Sequence, residues 1–313
     1  QLGSDIDGEA AEDESGNSVS MNAAGNRVAI GGPYNDGTGA NAGHVRVYEY
    51  SNSSWTQLGS DIDGEAASDY SGYSVSTNSA GDRVAIGAYG NDGTGSSAGH
   101  VRVYEYSNSS WTQLGSDIDG EDGNDYSGYS VSINSAGDRV AIGAYVNDDT
   151  GIQVGHVRVY EYSNSSWTQL GSDIDGEAAS DYSGYSVSTN SAGDRVAIGA
   201  YGNDGTGVLA GHVRVYEYSN STWTQLGSDI DGEEADDRSG VSVSMDSAGD
   251  RVAIGAYLND GTGTFAGHVR VYEYSNSSWT QLGSDIDGEA AGDWSGSSVS
   301  INSAGDRVAI GAW

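Results

Sequence analysis

The sequence predicts an all-β chain, a β-propeller of 56-residue four-stranded blades, and two observations carry that prediction. Trp recurs at 55, 111, 167, 223 and 279, a constant spacing of 56, and each copy is flanked by nearly the same text. Within each period, short strand-like segments are separated by turns rich in Gly, Asn and Ser, and no 3.6-residue apolar period persists. A four-stranded unit of this size cannot bury both faces of its sheet alone, and tandem units solve the problem by packing face to face.

The second copy shows the elements in order. Tyr73 to Asn78 reads as a first strand, and after the turn Ser79-Ala80-Gly81 the segment Arg83 to Ala88 reads as a second, with Val84, Ile86 and Ala88 alternating. A Gly/Asn/Asp loop from Gly90 to Gly99 leads into a third strand, His100 to Tyr106. The tight turn Ser107-Asn108-Ser109 returns the chain through a fourth, Trp111 to Ile118. Ser, Ala and Gly in the first two strands suit a crowded axis, and Tyr and Trp in the last two suit a wider rim. A β-solenoid would have shorter rungs and no recurring hairpin turns. The prediction is one domain over residues 1–313, with blades at about 15–62, 71–118, 127–174, 183–230 and 239–286. A partial sixth blade, 295–313, takes its outer strand from residues 1–6, lacks a third strand, and leaves an edge open to another chain.

Composition excludes several functions. The chain has 46 acidic residues against 12 basic ones, a net charge of −34, and no Cys. Every basic residue is Arg, and no cationic surface for nucleic acid or anionic lipid is expected. Thiolate chemistry and disulfides are ruled out, and no apolar run is long enough for membrane insertion. So acidic a composition would read as disorder were it not for the regular repeat.

The run Tyr70-Ser71-Gly72-Tyr73-Ser74-Val75 followed by Val84-Ala85-Ile86-Gly87-Ala88-Tyr89 resembles FG-GAP repeats, the blades of the integrin α-subunit propeller, and the first copy reads Gly31-Gly32-Pro33. The likeness runs through the whole chain, copy by copy. The family's Phe-Gly pair appears here as Ser-Gly, and the short hairpin Asn78-Ser79-Ala80-Gly81-Asp82 has no room for the family's Asp-rich calcium loop. The resemblance implies a propeller and extracellular adhesion.

Antiparallel geometry sorts the loops. First-to-second and third-to-fourth hairpins emerge on one side and are nearly constant between copies, whereas the second-to-third and fourth-to-first connections emerge on the other and vary. Val146, Ile152, Val154, Val208, Leu209, Leu258 and Phe265 lie on these variable loops, and are expected either to pack on the neighbouring blade or to form a patch for a protein partner or for self-association.

The most regular polar pattern is Asp61, Asp63, Glu65 and Asp69. It recurs as Asp5, Asp7, Glu9 and Asp13; as Asp117, Asp119, Glu121 and Asp125; as Asp173, Asp175, Glu177 and Asp181; as Asp229, Asp231, Glu233 and Asp237; and as Asp285, Asp287, Glu289 and Asp293. Alternate carboxylates in a curved loop can converge on a hard cation such as Ca2+, although the bidentate Glu of an EF-hand is replaced here by Gly72. Asn52, Asn108, Asn164, Asn220 and Asn276 each open an Asn-Ser-Ser/Thr sequon, a glycan acceptor in a secreted protein and equally a turn residue. His44, His100, His156, His212 and His268 begin each third strand and are read as structural, because symmetry keeps them from gathering on one metal. No nucleophile and base break the repeat symmetry, so no enzyme is expected. The expected function is a non-enzymatic, extracellular or cell-surface adhesive module that binds calcium or assembles into filaments or a surface layer. The alternative is a lectin-like glycan binder stacking sugars on Tyr70, Tyr126, Tyr182 and Trp294.

Overall fold

The computed structural model describes residues 1–313, and every regular element in it is a β-strand. The first repeat holds β1 (Ser18–Met21), β2 (Arg27–Gly32), β3 (His44–Ser51), β4 (Ser54–Gln57) and β5 (Ile62–Asp63). The second holds β6 (Ser74–Thr77), β7 (Arg83–Ala88), β8 (His100–Ser107), β9 (Ser110–Gln113) and β10 (Ile118–Asp119). The same five recur as β11–β15 (130–175), β16–β20 (186–231) and β21–β25 (242–287), and the chain ends with β26 (Ser298–Ile301) and β27 (Val308–Gly311). The chain divides into two compact units, residues 1–144 with 160–169, and residues 145–159 with 170–313.

Each full repeat is one antiparallel sheet. In the second, β6 pairs with β7, β7 with β8, and both β9 and β10 lie along the outer edge of β8. The fourth strand predicted as one run is therefore broken in two. Tyr104 opposes Gln113 while Val101 opposes Ile118, so the outer strand carries two residues more than its partner and bulges between Leu114 and Asp117. The hairpin between β8 and β9 turns through Asn108 and Ser109 at φ of 50° and 63°, the left-handed pair that matches strand twist.

That bulge is where the next repeat docks. Within the first unit, the Trp111 indole donates to the Leu58 carbonyl and Trp167 to the Leu114 carbonyl, both at 2.7 Å. Within the second, Trp223 donates to Leu170 at 2.7 Å and Trp279 to Leu226 at 2.8 Å. The ring lies over the following glycine: a Cβ on Gly171, whose φ is +72°, would stand 3.0 Å from the Trp223 ring. Closer to the inner strands, Ser74 Oγ donates to the Gly128 carbonyl and Ser186 Oγ to the Gly240 carbonyl. Between these polar contacts sits the core: Ala85, Val101, Val103 and Ile118 of one sheet pack on Ile133, Val140 and Ile142 of the next.

Arg side chains also tie repeats together. Arg83 donates twice to Glu105 on the facing strand and once, through Nη1, to the Gly137 carbonyl of the next repeat's hairpin. Residues 1–6 contain no strand, and the last sheet consists of β26 and β27 alone. The expected outer strand over residues 1–6 is thus not formed; the Leu2 carbonyl instead accepts the Trp55 indole, as Leu58 accepts Trp111.

Two stability outcomes follow from these contacts. Gly171→Ala forces a side chain into a left-handed backbone and against the Trp223 ring, and is expected to cost about 2 kcal/mol or more in denaturant unfolding. In the fifth repeat the buried Asn of the first hairpin is replaced by Asp246, whose Oδ1 accepts from the Asp250 and Arg251 amides. The Asp250 carboxyl is held above its ordinary pKa by desolvation first and then by Asp246. Asp246→Asn restores the amide that Asn78 donates to Asp82, and should raise the melting temperature, by about 1 kcal/mol of stability.

Candidate metal centre

The acidic loops do not close on themselves. Asp69 is buried and accepts hydrogen bonds from the Ala66 amide and the Asn91 side chain at 3.0 and 3.2 Å, so it staples the loop before the second repeat to the loop after β7. Asp13, Asp125, Asp181, Asp237 and Asp293 each accept the amide three residues before them in the same way. The backbone carbonyls of Asp7, Asp63, Asp175 and Asp231 accept the guanidinium of Arg46, Arg102, Arg214 and Arg270. The quartet predicted as one cation loop is therefore divided: Asp61 turns back to the strand it follows, and Glu65 reaches forward to the next.

What meets there is the histidine. Within the first unit Glu9, His44 and Asp61 form one group and Glu65, His100 and Asp117 another; within the second, Glu177, His212 and Asp229 form one and Glu233, His268 and Asp285 another. In each, the donor atoms lie within 4.8 Å of one another. His44 Nδ1 is 3.7 Å from Glu9 and 3.8 Å from Asp61, and His212 Nδ1 is 3.9 Å from Glu177. The imidazoles are about 1% exposed, while Glu9 and Asp61 are 46% and 27% exposed, so each group opens outward past its carboxylates. Nδ1 of His44 and both ring nitrogens of His268 are buried with no hydrogen-bond partner, an arrangement that costs free energy unless something binds them.

Burial and a neighbouring charge keep the His100 and His212 rings neutral. Burial pushes the His100 and His212 pKa down to about 4, the adjacent Arg102 and Arg214 push the same way, and the nearby carboxylates only partly oppose them. A neutral imidazole is the form that binds a metal. Burial also raises the Glu177 carboxyl above its ordinary range, with Arg214 opposing. A tetrahedral site with bonds of about 2.1 Å sets its donor atoms about 3.4 Å apart. The His–Glu gaps of 3.7 to 3.9 Å are a few tenths of an ångström wider than that, and no two donor atoms of a group lie more than 4.8 Å apart. The groups can hold a metal ion.

The other predicted residues fall in several places. Asn52, Asn108, Asn164, Asn220 and Asn276 lie at the hairpin tips with φ near 50°, and this turn geometry accounts for Asn by itself. Of the variable-loop residues, Ile152, Val208 and Phe265 are exposed, Val154 is buried, and Val146, Leu209 and Leu258 are half-buried. The proposed sugar platforms are engaged with their neighbours: Tyr70 stacks on Tyr89 and Tyr182 on Tyr201, both at 5.1 Å, while Tyr126 meets Tyr89 edge-on and Trp294 meets Tyr257. Burial and its neighbours Tyr185 and Tyr182 push the Tyr201 hydroxyl up to about 12. No helix is long and apolar enough to cross a membrane.

No family model matches the sequence, and no curated protein does. Solved structures share the fold. A protein assigned as a 6-phosphogluconolactonase from Bacteroides uniformis is 12% identical, with a TM-score of 0.62 over 94% of this chain and 77% of that one. Hydrazine synthase of Kuenenia stuttgartiensis is 11% identical, with a TM-score of 0.58 over 95% and 83%. The periplasmic gluconolactonase of Pseudomonas aeruginosa is 13% identical, with a TM-score of 0.56 over 86% and 69%. At such identities the likeness is one of fold. It nonetheless overturns the expectation of a non-enzymatic adhesive or lectin-like module, because the argument rested on repeat symmetry and the matching folds carry gluconolactonases.

His100 and His212 set an acid limit. Their folded pKa lies below the unfolded value, so the unfolded chain binds more protons as pH falls from about 6.5 to about 4, and stability is lost across that window. Thermal melts of the metal-free protein should show this decline, and His212→Gln should flatten part of it; a melting temperature constant from pH 7 to 4 would contradict it.

Proposed function

We propose that the chain is a hydrolase of the lactonase type on a β-propeller scaffold, and that its Glu–His–Asp groups hold a divalent transition metal. The observation that carries this reading is a buried imidazole facing two carboxylates, recurring in both units, with Nδ1 left without a hydrogen-bond partner on His44 and His268. One imidazole with two carboxylates suits zinc or manganese better than calcium, which prefers six to eight oxygens. A metal so held supplies Lewis acidity toward an ester carbonyl and a nucleophile from water near neutral pH.

The chain's own residues do the rest. His212 anchors from the buried side, and Glu177 and Asp229 close the group from the solvent side, leaving the outward approach to substrate. Arg214, 5% exposed and 3.6 Å from Glu177, holds positive charge beside the place where a ring-opened acid would develop its carboxylate. The fold likeness to two gluconolactonases supports a sugar lactone as the substrate class. A location outside the cytoplasm belongs to the same reading, with the periplasmic gluconolactonase as its support.

The test is direct. Stripped protein reloaded with zinc or manganese should open gluconolactone faster than the buffer rate, chelator should abolish the gain, and calcium should not restore it. His212→Ala and His268→Ala should each lower metal stoichiometry by one in elemental analysis. Metal uptake with no turnover would sink the lactonase reading; no uptake would sink the metal site as well.

A further inference from the structure

The benzene rings of this chain are nearly all phenols, 21 Tyr against 1 Phe, and the chain has no Cys. A Phe fills the same space in packing, so the hydroxyls invite a separate account. Without Cys no disulfide can staple one repeat to the next, and tyrosine offers another oxidative link.

Five of these rings touch one another within the first unit. Tyr70 stacks on Tyr89 at 5.1 Å with the planes 6° apart, and Tyr89 stands edge-on to Tyr73, Tyr126 and Tyr129 at 4.6, 5.6 and 5.7 Å. One pair differs. Tyr73 and Tyr129 lie 4.8 Å apart with their planes at 42°, and the Tyr73 hydroxyl donates to the Tyr129 hydroxyl at 2.9 Å. Hydroxyl meeting hydroxyl brings together the ring edges whose ortho carbons couple when phenols are oxidised, whereas an edge-on ring meets only its partner's face. Each of the two residues immediately precedes the first strand of its sheet, β6 (Ser74–Thr77) and β11 (Ser130–Ile133). Ser74 Oγ donates to the Gly128 carbonyl at 2.8 Å and the Ile133 amide donates to Ser76 Oγ at 3.0 Å, so the backbones beneath the rings are held in place. In the second unit Tyr182 stacks on Tyr201 and Tyr185 meets it edge-on, yet the position 56 residues after Tyr185 is Val241.

We propose that Tyr73 and Tyr129 are a site of oxidative modification, at which a dityrosine bond joins two neighbouring sheets covalently. The co-reactant is hydrogen peroxide, used through a peroxidase. Each hydroxyl gives up one hydrogen atom, and the two ring radicals join through the carbons ortho to their oxygens. The hydrogens on those carbons then move to the oxygens and restore both hydroxyls. The two hydrogen atoms first removed reduce one hydrogen peroxide to two waters. Both rings are half-buried, reached from solvent yet covered enough to favour each other over a second molecule. The link closes a loop across 56 residues and restricts the unfolded chain as a disulfide does.

The intact protein, kept dilute, is treated with a haem peroxidase and hydrogen peroxide and then digested after Arg. Tyr73 falls in peptide 47–83 and Tyr129 in peptide 103–139. The expected main product is these two peptides linked, lighter than their sum by two hydrogen atoms, with fragmentation placing the bond between Tyr73 and Tyr129. Tyr73→Phe and Tyr129→Phe keep the rings, and with them the packing, and each should abolish this product; Tyr185→Phe should leave it unchanged. Oxidised protein should melt at a higher temperature than Tyr129→Phe oxidised in the same way. In denaturant the preference for this pair should disappear. Links found only between molecules or only among other tyrosines overturn the proposal, as does a yield that survives Tyr129→Phe or is equally high in denaturant.

Discussion

The structure depends on an indole seated on a bulge. Each outer strand must stop pairing for two residues so that a Leu carbonyl turns outward and a glycine presents a bare face, and the Trp of the following repeat then closes over both. A sheet of short strands has too little apolar side chain to hold a neighbour by burial alone. The indole adds a large buried area and satisfies a carbonyl that the bulge would otherwise leave unpaired. The constant spacing of 56 follows, because any insertion between bulge and Trp would move the ring off its carbonyl.

The same bulge builds the candidate metal group. The Asp that ends it points back toward the histidine opening the third strand, and the Glu delivered by the loop from the preceding repeat arrives from the other side. No single repeat contains the group. It exists only where the loop before a repeat is held against that repeat's sheet, so the packing contact and the chemistry share one geometric cause. Arg102, two residues after His100, is fixed by the Asp63 carbonyl, and its charge adds to burial in holding the His100 pKa down.

Much of the fold was legible in the sequence, and the reasons are local. Alternation in Val84, Ile86 and Ala88, the Asn108-Ser109 turn and the 56-residue period each reflect one strand or one hairpin. The split of the fourth strand was hidden, because a bulge at Leu114 to Asp117 leaves only a Gly-Ser pair as its mark. The division of roles among the carboxylates was hidden for a related reason. Asp61, Asp63, Glu65 and Asp69 stand side by side in sequence, yet Asp69 is a buried staple while Asp61 and Glu65 serve two different histidines. A signal was present: His and Asp recur 17 residues apart, with a Glu 35 residues before the His, in every full copy. Symmetry scatters the individual histidines, yet the same symmetry repeats the whole group around each of them.

The charge of the chain acquires a meaning from this arrangement. A net −34 on 313 residues resists compaction through self-repulsion, and most of the acidic side chains lie on exposed loops and hairpin turns. Carboxylates gathered at the junctions concentrate that repulsion where sheets must touch, and the five interior Arg beside the histidines offset only part of it. A divalent cation held by one of these groups would cancel two charges there, and at His44 and His268 it would also satisfy a stranded imidazole nitrogen, so the groups that look least stable without metal are those that gain most by binding it.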